Sequence, residues 1–274
     1  LSNSTNLKIN MINNLNIMFP EIFLSLSIFF ILLLGVFIKK SFNLIFNLTS
    51  VIIIITIVII LNNPNNPTGT IITKEELGML MCSLPEQVML ILDEAYVEFA
   101  RENPLYPDSL PIINQENTVV HPNTLILRTF SKAYGLASFR VGYALGPAQL
   151  IKMLWKTKNT FEPSGISEAA AISALEDDHF LTKSILLTQN AREDFEEFLA
   201  YHDIPYVPSS ANFVMLLAPD ETQALHITES LLSLGVIVRQ LSPFGIPNGI
   251  RITVGLEEEM EHLKQALKSS WSTS

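Results

Sequence analysis

The chain has 274 residues, of which 48% are hydrophobic and 16% charged, with a formal net charge of -10. That balance excludes a disordered chain and any broad affinity for nucleic-acid phosphates, which would need a basic surface. One cysteine, Cys82, excludes a disulfide framework and a cysteine metal cluster, and it is read as a free thiol without a role.

The charge is unevenly spread. Residues 1–61 hold four charged side chains, Lys8, Glu21, Lys39 and Lys40, whereas residues 62–274 hold 14 basic and 26 acidic ones, a local net of -12. The head contains two uncharged apolar runs, from Ile22 to Ile38 and from Leu44 to Leu61. Each is long enough to cross a bilayer core if helical, at roughly 20 residues per span. A secretory signal does not fit the second run. That run, VIIIITIVII at its centre, is rich in β-branched residues and suits a buried parallel strand as well as a membrane helix. As a hairpin with Lys39 and Lys40 in its turn, residues 22–61 would associate with a membrane and put residue 62 onward on the far side from the cytoplasm. The segment MINNLNIMFPEIFLSLSIFFILLLGVFIKK, through Phe19-Pro20-Glu21-Ile22-Phe23, resembles the amino terminus of membrane subunit N of NADH:quinone oxidoreductase. Residues 1–61 are therefore expected to be one unit.

Beyond the head, LNNPNNPTGT (61–70) is a tight Asn/Pro/Gly turn between an apolar run and a helical pattern with Leu77, Leu80, Met81 and Leu84 on one side. The run VMLILDEAYVEF (88–99) is a buried strand that leaves Asp93 and Tyr96 just past its end, where open α/β sheets keep their ligand sites. A further strand opens TLILRTFSKAYGLASFRVGYALG (124–146), followed by Ser131-Lys132, a loop of small residues, Arg140, and another strand from Val141 to Leu145. An Ala-rich helix from Ser164 and a long amphipathic helix from Phe180 to His202 come next. YVPSSANFVMLL, GVIVRQL and GIRITVG then read as three short strands of a small α+β lobe, closed by the helix LEEEMEHLKQALKSSW. His179, His202 and Tyr143 read as structural.

NPNNPTGT, DEAYVEF, RTFSKAYGLASFRVGY, SSANFVM and IRITVG resemble, in that order, the fold type I pyridoxal phosphate aminotransferases, and among them the histidinol-phosphate aminotransferases, over about residues 64–270. The resemblance implies an α/β fold: a partial large domain over 62–160 and a small α+β carboxy-terminal domain over 161–274. It also implies pyridoxal 5'-phosphate as cofactor, amino-acid and 2-oxo-acid substrates, a homodimer in the family and a cytoplasmic place of work. The family's upstream glycine turn for the cofactor phosphate and its stacking aromatic ring have no counterpart in this sequence.

The same resemblance assigns roles that the chemistry explains. Lys132 is the catalytic amine: it must condense with the cofactor aldehyde and later move a proton, so partial desolvation is expected. Asp93 keeps the pyridine nitrogen protonated by charge pairing. Asn66 and Tyr96 donate to the cofactor's phenolate oxygen, and Ser131 with Arg140 grips its phosphate. Arg128, in the same motif, is read either as structural or as a support behind the site. Arg251, flanked by Ile250 and Ile252 and so pointing from the opposite face, is assigned to the substrate carboxylate. Arg239 goes to a distal phosphate and Asn212 to a contact near the carboxylate.

The two halves disagree about compartment. The simplest expectation is a join of unrelated coding sequences near residue 62, in which the aminotransferase part has low activity or none; the alternative is a fragment of a membrane subunit of NADH:quinone oxidoreductase fused to an unrelated domain, and the initial Leu1, with no methionine before Met11, agrees with a translated fragment.

Overall fold

The computed structural model describes residues 58–86, 88–107, 109–110 and 123–272. The first apolar span, and the second up to residue 57, lie outside them, and so does most of the stretch that resembles subunit N. Residues 58–61 do not continue a membrane helix: with Asn62 they form strand β1 (Val58–Asn62). Among the described residues no helix is long and apolar enough to cross a membrane. Residues 58–61 take the strand option because they meet a parallel partner, β2 (Met89–Asp93), in register from Val58↔Met89 to Asn62↔Asp93.

β2 pairs in parallel with β3 (Thr124–Thr129), and β3 pairs antiparallel with β4 (Gly142–Leu145), giving a four-stranded sheet in the order β1-β2-β3-β4. Alternation along the strands sends Leu90, Leu92 and Ile126 to one face, against Leu77 and Met81 of helix α1 (Lys74–Ser83). Leu125 goes to the other face, against Leu150 and Met153 of α3 (Ala148–Thr157). Apolar burial on both faces is what a largely parallel sheet requires. Helix α1 begins at a capping box: the Thr73 hydroxyl accepts from the Glu76 amide at 3.3 Å, and the Glu76 carboxylate accepts from the Thr73 amide at 2.8 Å. Between β2 and β3 lies the short helix α2 (Val97–Ala100), all of it buried.

Two helices, α4 (Gly165–Leu175) and α5 (Asp178–Tyr201), lead to a second, antiparallel sheet. Its strands are β5 (Tyr206–Val207), β6 (Phe213–Leu217), β7 (Arg239–Gln240) and β8 (Gly249–Thr253), in the order β5-β6-β8-β7. Where three strands were expected there are four. Pro208 offers no amide to a ladder, so YVPSSANFVMLL breaks there into β5 and β6. One face of this sheet packs on α5, α6 (Glu221–Ser233) and α7 (Glu257–Ser272), through Phe195, Leu199, Val214, Leu216, Ile227, Leu231, Ile250, Ile252, Leu263 and Leu267. The other face looks toward the first sheet.

The Asn-Pro turn joins the two sheets. Asn63 is pinned by a reciprocal pair with the Ile72 backbone, donating to its carbonyl at 3.2 Å and accepting from its amide at 2.8 Å. Tyr106 donates to the Asn63 carbonyl at 2.7 Å. Gly69, at φ 76, accepts through its carbonyl from the Ser210 amide at 2.8 Å, and a Cβ there would run into the Ser209 side chain. Glycine is needed both for the left-handed turn and for this close approach.

Candidate functional site

The parallel strands β1, β2 and β3 end side by side, with Asn62 opposite Asp93 and Asp93 opposite Leu127. The loops that leave these ends carry Asn66, Asp93 to Tyr96, and Ser131-Lys132. Asp93, half-buried, accepts the Ala95 amide on one oxygen at 3.1 Å, which fixes its carboxylate at the strand end. Tyr96 is buried, and the Lys132 ammonium stands 5.2 Å from its ring centroid. The edge of that arrangement continues into the second sheet: the Tyr96 and Phe213 rings meet edge to face at 5.3 Å, and the Arg251 guanidinium lies 5.1 Å from the Phe213 centroid. Arg251 then donates to the Asn66 side-chain carbonyl at 2.6 Å, across 185 positions of sequence. Lys132, Tyr96, Asn66 and Arg251, named separately along the chain, are thus joined through Phe213 by a chain of contacts that runs from the first sheet to the second.

Lys132 is exposed, where partial desolvation was expected. It stands at the start of an open loop, and its ring contact is with Tyr96. That loop is closed at its neck by the Phe130 amide donating to the Val141 carbonyl at 3.2 Å, and Ser131 and Arg140 are the residues that follow the neck on its two arms. Arg140 has a left-handed backbone, φ 51, and its guanidinium turns back to the Ala137 carbonyl at 3.0 Å. The Thr129 hydroxyl accepts the Ser131 amide at 3.1 Å and so shapes the same turn, a contribution that the Ser-Lys pair alone does not advertise.

Arg251 alternates with Ile250 and Ile252, both buried in the core of the second sheet, so its side chain comes out on the face toward the first sheet. Its Nε is buried and has no hydrogen-bond partner among the described residues. A half-buried guanidinium whose Nε has no partner is an incomplete anion site. Arg239 stands directly opposite Arg251 in the β7–β8 pairing and is exposed, with its guanidinium 5.9 Å from the Phe244 centroid. Two cations on one face of a sheet repel unless an anion lies between them. Asn212 is half-buried just before β6, and its carbonyl accepts the Val254 amide at 3.0 Å.

Behind the strand ends lies a polar cluster. Arg128 and Glu94 form an ion pair at 2.8 Å with side-chain exposures of 5% and 2%, and Arg128 also reaches the Ser109 hydroxyl at 3.4 Å. Arg128 is thus held by Glu94, the residue next to Asp93. Burial pushes the Glu94 carboxyl up, while the Ser109 hydroxyl and the Arg128 charge oppose that. Glu98, in α2, is also buried, and neither of its carboxylate oxygens has a hydrogen-bond partner among the described residues. Burial raises its carboxyl above the ordinary carboxylate value.

A group raised in this way favours the fold most below its unfolded value, and the benefit is lost as pH rises through the folded value. Glu98→Gln is therefore expected to unfold at higher denaturant than the wild type at about pH 8 and to come closer to it at about pH 4, below the ordinary glutamate value. Denaturation curves at both pH values check this; a variant that is weaker at the higher pH contradicts it.

Comparison with known proteins adds to the geometry. Residues 52–267 match the family model described as aminotransferase class I and II. Histidinol-phosphate aminotransferase 1 of Bacillus cereus is 41% identical over 207 residues, covering 75% of this chain and 54% of that protein. The histidinol-phosphate aminotransferase of a Geobacillus species is 39% identical over 205 residues, with the same shares. The crystal structure of histidinol-phosphate aminotransferase from Sinorhizobium meliloti in complex with pyridoxal-5'-phosphate superposes with a TM-score of 0.70 at 34% identity, covering 79% of this chain and 57% of that one. The chain spans about half the length of the curated relatives it matches.

Proposed function

Because the chain belongs to the class I and II aminotransferase family, we propose that the space between its two sheets is the cofactor and substrate site of a pyridoxal 5'-phosphate-dependent transaminase. The reaction proposed is exchange of an amino group between glutamate and imidazole-acetol phosphate in histidine biosynthesis, in the cytoplasm. The observation that carries this reading is the chain of contacts that links Lys132, Tyr96, Asn66 and Arg251 across the two sheets, with Asp93 held at the end of β2. Its supports are the identity to histidinol-phosphate aminotransferases and the cofactor named with the Sinorhizobium structure.

The donor set fits the cofactor. It combines an amine, a carboxylate for a ring nitrogen, two neutral donors for a phenolate oxygen, and hydroxyls with a guanidinium for a phosphate. Bound there, pyridoxal phosphate supplies an aldehyde and an electron-withdrawing ring. Lys132 is the nucleophile and afterwards the base that moves the substrate Cα proton. Asp93 holds a proton on the ring nitrogen by charge pairing. Asn66 gives its carbonyl to Arg251, which leaves its amide group as the donor toward the phenolate oxygen, beside the Tyr96 hydroxyl. Ser131 and Arg140, on the two arms of the loop, hold the phosphate, for which Arg140 must swing off the Ala137 carbonyl. Arg251 takes the anionic group of the substrate on its unused Nε, with Arg239 opposite it for a second negative charge. Asn212 stands near the same anion.

The test is spectroscopic. The chain incubated with pyridoxal phosphate and dialysed is expected to keep a visible absorbance band that Lys132→Ala loses and Lys152→Ala, on the distant helix α3, retains. Equal spectra for the wild type and Lys132→Ala overturn the reading.

A further inference from the structure

Arg192 and Glu196 lie four positions apart on helix α5, so they share one face of it. Both are half-buried. At that spacing an arginine and a glutamate can pair with each other. Among the described residues they do not, and each is spent on the backbone of one loop, residues 209–211. Glu196 accepts the Ser209 amide at 2.9 Å, and Arg192 donates to the Ala211 carbonyl at 3.0 Å. Inside the loop the Ser209 hydroxyl accepts the Ala211 amide at 3.0 Å. Burial pushes the Glu196 carboxyl up, against the Ser209 amide and the Arg192 charge, and pushes the Arg192 guanidinium down, against the charges of Glu196 and Glu193. Water would satisfy the same backbone groups without desolvating two ionisable side chains. What the pair adds is a fixed position for the loop.

Neither side chain belongs to the site described above, but the loop they hold is where the second sheet meets the Asn-Pro turn. The Ser210 amide donates to the Gly69 carbonyl at 2.8 Å, and the Asn103 side chain donates to the Ser210 hydroxyl at 3.4 Å. The Gly69 amide in turn donates to the Asn65 carbonyl at 2.8 Å, which closes a turn with Asn66 inside it. Asn66 is the residue that accepts from Arg251 at 2.6 Å. The path returns to its start, because β6 leaves the loop at Phe213 and pairs with β8, where Met215 stands opposite Arg251. A slack loop would let the turn shift against β8, and the bond between Asn66 and Arg251 would no longer be held from both sides.

We propose that Arg192 and Glu196 are positioning residues of the anion site: by fixing residues 209–211 they hold the Asn-Pro turn against the second sheet, so that Asn66 sets the direction of the Arg251 guanidinium. The proposal rests on the functional reading above for the identity of the anion, and on the contacts alone for the clasp.

The test uses the full-length chain and two readouts. The first is solvent exchange of the Arg251 Nε–H, followed by magnetic resonance on nitrogen-labelled arginine without cofactor and assigned by its loss in Arg251→Lys. Glu196→Ala is expected to speed this exchange about tenfold, the scale of one lost hydrogen bond to a charged group. Glu196→Gln keeps an oxygen for the Ser209 amide and is expected to restore the wild-type rate, and Glu193→Ala, at an exposed neighbouring position, to leave it unchanged. The second readout is calorimetric titration with 2-oxoglutarate in the presence of pyridoxal phosphate, where affinity is expected to fall about fivefold in Glu196→Ala and to return in Glu196→Gln. Arg192→Ala removes the other arm and is expected to move both readouts the same way, which supplies the result if Glu196→Ala does not fold. The proposal is overturned if the folded alanine variants unfold at lower denaturant yet keep the wild-type exchange rate and affinity, or if Glu196→Gln is as impaired as Glu196→Ala. Exchange at Arg251 needs no cofactor, so faster exchange in Glu196→Ala together with no absorbance band at Lys132 would sink the functional reading and leave the clasp standing.

Discussion

Arg128→Ala is expected to lower the free energy of unfolding by about 3–5 kcal/mol, the usual cost of leaving one partner of a buried ion pair uncompensated. The guanidinium is the ionic partner of Glu94, at 2.8 Å, and both side chains are almost wholly buried. Removing it strands a carboxylate behind the strand that presents Asp93. The sign with pH follows: burial already pushes the Glu94 carboxyl up, and without Arg128 it rises further. The loss should therefore be larger at about pH 8 than at about pH 5, where the stranded acid takes a proton. The double variant Glu94→Leu, Arg128→Met should regain most of the loss, because two apolar side chains of similar bulk leave no charge behind. Urea denaturation of the three proteins at both pH values measures this. A single-variant loss under about 1 kcal/mol would place the pair in the class of solvated surface bridges.

Arg251→Ala is the second large effect. Its guanidinium links the two sheets through Asn66, lies 5.1 Å from the Phe213 centroid, and keeps a buried Nε without a partner among the described residues. A carboxylate or phosphate that completes this site should lose about 2–5 kcal/mol of binding when the fork is removed. Arg251→Lys should recover only part of it, since an ammonium cannot present two parallel donors. Calorimetric titration with a dicarboxylate such as 2-oxoglutarate, in the presence of pyridoxal phosphate, reads the difference. An unchanged affinity in Arg251→Ala means that the anion is held elsewhere, with Arg239 the next residue to replace.

Much of this arrangement is legible in the sequence for identifiable reasons. Strands β2 and β3 are apolar runs that stop at polar motifs, and burial on both faces leaves them no other periodic reading. Arg251 shows its direction through the isoleucines on either side, because alternation in a strand is strict. Residues 58–61 are harder: a β-branched apolar run satisfies a bilayer and a parallel sheet equally, and the choice falls to a partner strand some 30 positions away. The opposition of Arg239 and Arg251 depends on how β7 is brought back to β8, which no local pattern encodes. In GVIVRQL just Arg239 and Gln240 join the ladder, while Val236 and Val238 pack on the core without pairing. The Glu94–Arg128 pair is hidden for a similar reason, since each residue sits inside a motif whose neighbouring position carries the chemistry.

The claim on which the rest depends is that the Lys132 amine attacks a cofactor aldehyde held beside Asp93. Borohydride reduction of the chain with bound pyridoxal phosphate, followed by digestion and peptide mass mapping, tests it without any need for turnover. The account predicts one pyridoxyl phosphate adduct per chain, on the peptide that contains Lys132, and its disappearance when Asp93→Ala weakens cofactor retention at low cofactor concentration. A label spread over Lys152, Lys156 and Lys158 in proportion to their exposure, with Lys132 no more modified than they are, would contradict it.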